Sequence, residues 1–107
     1  MILHTRLLFF AAGFTVSPRL IVIHSKYRDD KPLLAHERVH QQQMALVGTL
    51  TFWWRYLFDK EFRQQAEVEA YKVQISHGAK RSNCASYLAS NYWLYIDYST
   101  AYALLKD

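Results

Sequence analysis

At 107 residues, 51% hydrophobic and with no Pro/Gly-rich linker, the chain reads as one domain spanning 1–107, with enough apolar residues to bury its own core. Its single cysteine, Cys84, excludes an internal disulfide framework and a thiolate metal cluster, and is expected to be a free buried thiol. The net charge of +4 and pI near 9.3 come from scattered Lys and Arg, with no basic run longer than Lys80-Arg81, so nucleic acid is not an expected partner.

Arg6 and the following "LLFFAAGF" resemble a signal peptide superficially, but the apolar run is short and the chain continues into strand-like sequence, so cleavage is not favoured. A cytoplasmic location is the favoured expectation. No stretch approaches the ~20 apolar residues of a membrane span. The longest candidate, "LVGTLTFWWRYLF", is interrupted by Arg55; its aromatic triplet is expected to pack in the core and leaves peripheral membrane contact open.

In chain order, "RLLFF" and "RLIVIH" are apolar runs separated by Gly13 and Pro18. They predict one or two N-terminal strands, the first alternatively a short helix and the second ending near His24. His24 is expected to be a loop residue, and the strand "RLIVIH" could pair with an extended peptide as an edge strand or lie inside the sheet. "SKYRDDKP" is loop chemistry with Asp29 or Asp30 as a helix cap and Pro32 in the first turn.

From Pro32 to about Val47, Leu33, Leu34, Val39, Met44, Ala45 and Val47 fit an amphipathic helix that Gly48 can break. "TLTFWWRYLF" predicts a second, very apolar helix. Asp59 caps a third, "KEFRQQAEVEAYKVQIS", closed by His77-Gly78. "GAKRSN" is a loop, after which Ser82 or Asn83 caps a last helix, "CASYLASNYWLYIDYSTAYALL", with a bend near Asp97. The expected fold is therefore α+β: a small N-terminal sheet followed by several helices.

Within the first long helix lies "HERVH". His36 and His40, four residues apart, emerge on one face about one turn apart, a spacing that lets two imidazoles reach one Zn²⁺ at about 2.0–2.1 Å. Glu37 stands beside them, where a carboxylate can act as general base on an activated water. The composition predicts roughly 0.01 chance occurrences of this pattern in a chain of this length. Two histidines do not complete a catalytic zinc site, which needs a third protein ligand. The third helix offers two, Glu67 and Glu69 in "EVEAY", about 200° apart around the helix, so only one can face the histidines. The apolar pattern does not choose between them. Gln43, one turn beyond His40, could donate near the metal, although "QQQ" also fits a solvated face.

"HERVH" followed by "EVEAY" resembles the gluzincin zinc metallopeptidases, in which H-E-x-x-H on one helix is completed by a glutamate on a later helix, often within E-x-x-A-D. The likeness is greatest to the very small minigluzincin type and to short phage and bacterial metallopeptidase-like chains with H-E-x-x-H-x-x-Q, an aromatic segment and E-x-E-A-Y. It covers about residues 33 to 75. The resemblance implies a zincin-like minimal metallopeptidase fold, Zn²⁺ held by His36, His40 and Glu67, Glu37 as general base, and a peptide or protein substrate. Tyr71 stands where the pattern has an aspartate that orients a ligating histidine, so Tyr71 or another acceptor must take that part. Tyr71, His77 and Tyr95 are candidates to stabilise the oxyanion. The alternative expectation is a catalytically inactive zinc-binding structural or interaction module, such as a virion or secretion component. In the enzyme, the terminal helix could also cover the cleft.

Overall fold

The structure, a computed structural model, describes residues 1–5 and 13–106. Three strands open the chain: β1 (Ile2–Thr5), β2 (Gly13–Ser17) and β3 (Leu20–His24). They form one sheet in the order β1-β3-β2, with β1 parallel and β2 antiparallel to β3. Residues alternate across the pleat, so β3 turns Ile21 and Ile23 into the core while its other side chains stay half-buried. The register of β2 against β3 shifts between Thr15 and Ser17, as in a bulge. Near that irregularity the Val16 carbonyl accepts a hydrogen bond from the Trp53 indole at 3.3 Å.

The expected first strand "RLLFF" lies outside the described residues; Ile2–Thr5, which the sequence reading assigned to no element, pairs with β3. β3 itself has a neighbour on each side, so "RLIVIH" is the central strand and has no free edge for an added peptide.

After a short 3-10 turn over Ser25–Tyr27 come five helices: α1 (Lys31–Val47), α2 (Thr49–Phe58), α3 (Lys60–Ser76), α4 (Arg81–Asn91) and α5 (Tyr98–Leu104). The observed architecture is thus α+β, a three-stranded N-terminal sheet followed by five helices, with a radius of gyration of 13.1 Å. Local chemistry sets most boundaries. Asp30 accepts from the Leu33 amide at 2.9 Å and Pro32 occupies the first turn of α1, while Gly48, at φ 88°, separates α1 from α2. Asp59 caps α3 through the Phe62 amide at 3.1 Å, and Gly78 closes it at φ 110°, a backbone conformation open to glycine.

The single last helix of the sequence reading is two. Lys80, not Ser82 or Asn83, precedes α4, and Asp97 caps α5 through the Thr100 amide at 2.8 Å. Between them Trp93 and Tyr95 adopt positive φ (53° and 59°), unusual for such residues, which lets Leu94 turn fully into the core. Arg63 sustains the break, donating to the carbonyls of Tyr92 at 2.8 Å and Trp93 at 3.3 Å as well as to that of Tyr56 at 2.8 Å. A distant guanidinium therefore satisfies carbonyls that a continued helix would have used itself.

α1 packs chiefly on α3, and α2 lies against both. Met44, Phe52 and Ala66 form one core among these three helices. A second, built from Tyr71, Cys84, Ala85, Leu88, Leu94, Ala101 and Leu105, joins α3 to α4 and α5. Cys84 is the expected buried free thiol, and burial pushes its pKa up to about 11. Leu88 has no exposed surface, so Leu88→Ala leaves a cavity as well as losing apolar burial. It is expected to lower stability by about 2–5 kcal/mol, measured as a shift in the urea midpoint at unchanged slope. Among the described residues, no helix is long and apolar enough to cross a membrane.

Candidate metal centre

The Asp30 cap and the Gly48 break bound α1, and its packing on α3 turns His36 and His40 inward. α3 presents Ala66, Glu67, Ala70, Tyr71 and Gln74 as its buried stripe, whereas Glu69 is exposed. Glu67, not Glu69, therefore faces the histidines. His36, Glu37, His40 and Glu67 are all between 3% and 6% exposed, which marks them as an enclosed polar group rather than a solvated face.

The geometry suits a metal ion. His36 Nε2 lies 3.1 Å from Glu67 Oε1, His40 Nε2 lies 3.2 Å from Glu67 Oε2, and the two Nε2 atoms are 3.2 Å apart. Donors around a tetrahedral ion at about 2.0–2.1 Å are separated by about 3.3 Å. The ligand atoms of His36, His40 and Glu67 all fall within 4.8 Å of one another, so this buried group could hold a metal ion. The charge balance agrees: two buried carboxylates, Glu37 and Glu67, beside two imidazoles present net negative charge that a divalent cation would offset.

Supporting contacts orient one ligand well and the other poorly. Gln43 Oε1 accepts from His40 Nδ1 at 2.8 Å while Gln43 Nε2 donates to the Ala66 carbonyl at 3.2 Å. That amide orientation keeps a proton on His40 Nδ1, so that the neutral imidazole would present Nε2 to an ion. Gln43 thus acts on the far nitrogen of His40 instead of donating to the metal, a correction of the sequence reading. His36 Nδ1 has no hydrogen-bond partner among the described residues. Tyr71 does not take the aspartate's part: its hydroxyl pairs with that of Tyr92 at 2.6 Å, and only its ring reaches His36, edge-on with centroids 4.4 Å apart.

Glu37 leans toward the sheet. The Thr15 hydroxyl sits 2.9 Å from the Glu37 carbonyl and 3.0 Å from Oε1, while Glu37 Oε2 lies 3.7 Å from His36 Nε2. Gly13 makes the room, since a Cβ there would stand 3.3 Å from Glu37 Cγ. On the other side Tyr56 donates its hydroxyl to Glu67 Oε2 at 2.5 Å. Sequence reasoning missed Thr15, Gly13 and Tyr56, because each contact spans elements and none belongs to a spaced motif. Tyr56 was hidden inside the apolar "FWWRYLF". Phe52 of the same run is fully buried and Trp53 stacks on Phe14 at 5.3 Å, so these two are core as expected, while Trp54 is exposed. His77 and Tyr95 are exposed and do not join the site, and His24 accepts from the Lys26 amide as a loop cap.

Electrostatics couple these groups. Burial alone would lower His40, but the Glu67 carboxylate overrides it and raises the pKa to about 9. Burial pushes Glu67 upward, yet the His40 and His36 imidazoles hold it well below the usual carboxylate range. Burial, reinforced by the Glu67 charge, keeps Tyr56 protonated far above its ordinary range. For the metal-free chain the raised His40 pKa contributes stability that is full below 6.5 and is lost as pH rises through about 9. The depressed Glu67 contributes stability present above 4.5 and lost in acid. Metal-free protein is thus expected to melt highest between these limits and progressively lower toward pH 9. Zinc-loaded protein should gain over the same alkaline range, because zinc requires a neutral imidazole. Thermal scans across pH with and without chelator check both slopes.

Compared with known protein families, with characterised proteins and with solved structures, the chain matches none.

Proposed function

We propose that this protein is a zinc-dependent metalloendopeptidase of the gluzincin kind, reduced to a minimal single domain. The observation that carries the reading is the convergence of His36, His40 and Glu67 on one buried point with the Glu37 carboxylate beside them. Three protein donors leave one position of a tetrahedral ion open, as catalytic zinc sites do, whereas structural sites usually supply four.

His36 Nε2, His40 Nε2 and Glu67 would hold the ion. Bound there, Zn²⁺ supplies Lewis acidity, polarising a peptide carbonyl and bringing the pKa of a water toward ~7. The chain's residues do the rest. Glu37 accepts the proton of the attacking water and returns it to the departing amine, with Thr15 and the space over Gly13 fixing the carboxylate's direction. Gln43 holds His40 in the ligating tautomer, and Tyr56 holds the second oxygen of Glu67.

A second reading, a catalytically idle zinc clamp between α1 and α3, is favoured by the near-complete burial of all four groups. The two are separated by peptide hydrolysis with zinc-loaded chain beside Glu37→Gln. The enzyme reading requires hydrolysis that disappears in the variant while zinc stays bound. Zinc-loaded protein without hydrolysis, or hydrolysis unchanged by the substitution, sinks it.

A further inference from the structure

We propose that the outer face of α2, with the α1–α2 turn, docks this protein on an anionic lipid surface; the inference stands independently of the metal reading. Apart from a polar edge at Thr51 and Arg55, α2 is apolar, yet only one side of it is covered. Phe52, Trp53 and Tyr56 face the core, while Leu50, Trp54, Leu57 and Phe58 are 61% to 87% exposed. Their spacing places these four in one stripe, and the Trp54 and Phe58 rings touch with centroids 4.7 Å apart. Leu46, in the last turn of α1, is equally bare. A helix with apolar residues on two faces ordinarily covers both, and a contiguous bare patch of this kind marks a contact surface.

Shape and charge identify the occupant. A Cβ added to Gly48 would meet nothing within 4 Å, so the turn is an open projection rather than the wall of a groove. A projecting apolar edge suits a deformable headgroup layer. From Lys31 to Phe58 the only acid is Glu37, which is buried, so the exposed charges of the α1–α2 unit, Lys31, Arg38 and Arg55, are all positive. Just beyond Phe58, Asp59 pairs with Arg55 at 3.8 Å and the exposed Glu61 stands beside Lys60, so the net positive charge of the unit rests on Lys31 and Arg38. A Trp/Leu/Phe stripe on a two-helix unit whose exposed charges are cationic is the combination that suits the interface of an anionic bilayer. At 10 residues α2 can lie in the membrane plane but cannot span it. The same helix carries Tyr56 on its inner side, so docking would hold the metal centre about one helix diameter from the lipid, ~10 Å.

The test is co-sedimentation of the full chain, with and without added zinc, with vesicles of phosphatidylcholine alone and of phosphatidylcholine mixed with phosphatidylglycerol. Binding is expected to the mixture with a blue shift of tryptophan emission, and to be weaker by about fivefold on the neutral vesicles and in Arg38→Gln. The double variant Leu50→Gln, Trp54→Gln should lose about tenfold or more in partitioning while keeping its melting temperature and zinc content, since both side chains are exposed. Failure to bind the mixed vesicles overturns the proposal. So does binding that the double variant leaves intact, or that ignores lipid charge. A dimer in light scattering that the double variant converts to monomer, without vesicle binding, assigns the face to a second copy of this chain instead.

Discussion

Purified Glu67→Ala and His40→Ala proteins are expected to contain no stoichiometric zinc, whereas the wild type and Glu69→Ala are each expected to bind about one ion per chain. Glu67 and His40 each supply one of three donors, and the buried group has no further carboxylate or imidazole among the described residues to replace them except Glu37. Glu37 Oε1 is engaged by Thr15, and its other oxygen points past His36 at 3.7 Å, so it is poorly placed to substitute. Loss of even a supporting hydrogen bond around a metal ligand costs about 10–100-fold in affinity, and loss of a ligand costs more. Glu69 is exposed, and its removal touches none of these contacts. Metal analysis by mass spectrometry after reconstitution and desalting reads the result. Zinc retained in Glu67→Ala, or lost in Glu69→Ala, would mean that the helix phase has been misassigned.

Glu37→Gln is expected to reduce peptide hydrolysis by about 100- to 10,000-fold with zinc retained, the range associated with losing a positioned general base. Glutamine matches glutamate in shape, so it fits against Gly13 and its carbonyl oxygen can still accept from Thr15. What it cannot do is take a proton near neutral pH. The fall should therefore appear in kcat, with metal content and melting temperature close to wild type. Ala at this position would confound the result by emptying the space beside Gly13. A large loss of zinc in Glu37→Gln would instead make Glu37 a ligand and change the reading of the site.

How far each feature could be read in advance depended on the range of the interactions that decide it. α1, α2 and α3 lie where local chemistry predicted them, because Asp30, Gly48, Asp59 and Gly78 act within a turn or two of themselves. β1 escaped notice because Ile2–Thr5 gains its strand state from pairing with β3, nineteen residues further on. The sequence after Asn91 reads as helix on periodicity alone. Arg63 on α3, together with the burial of Leu94 between two residues at positive φ, makes a break there.

The candidate site divides along the same line. By itself the sequence determined that His36 and His40 share one helix face with Glu37 beside them, since a helix of fixed pitch turns a spacing into a direction. It narrowed the third donor to Glu67 or Glu69 and could go no further, because both phases of α3 carry apolar residues. Only the packing of α3 on α1 chose Glu67. Only tertiary structure gave Glu37 its seat on Thr15 and Gly13, bound His40 to Gln43 and Ala66, and brought Tyr56 to Glu67. It also directed the Tyr71 hydroxyl to Tyr92, and His36 Nδ1 has no hydrogen-bond partner among the described residues. Periodicity specifies which side of an element is inside. Which atom of a distant element meets it there is set by the close packing of whole side chains, and no local pattern encodes that.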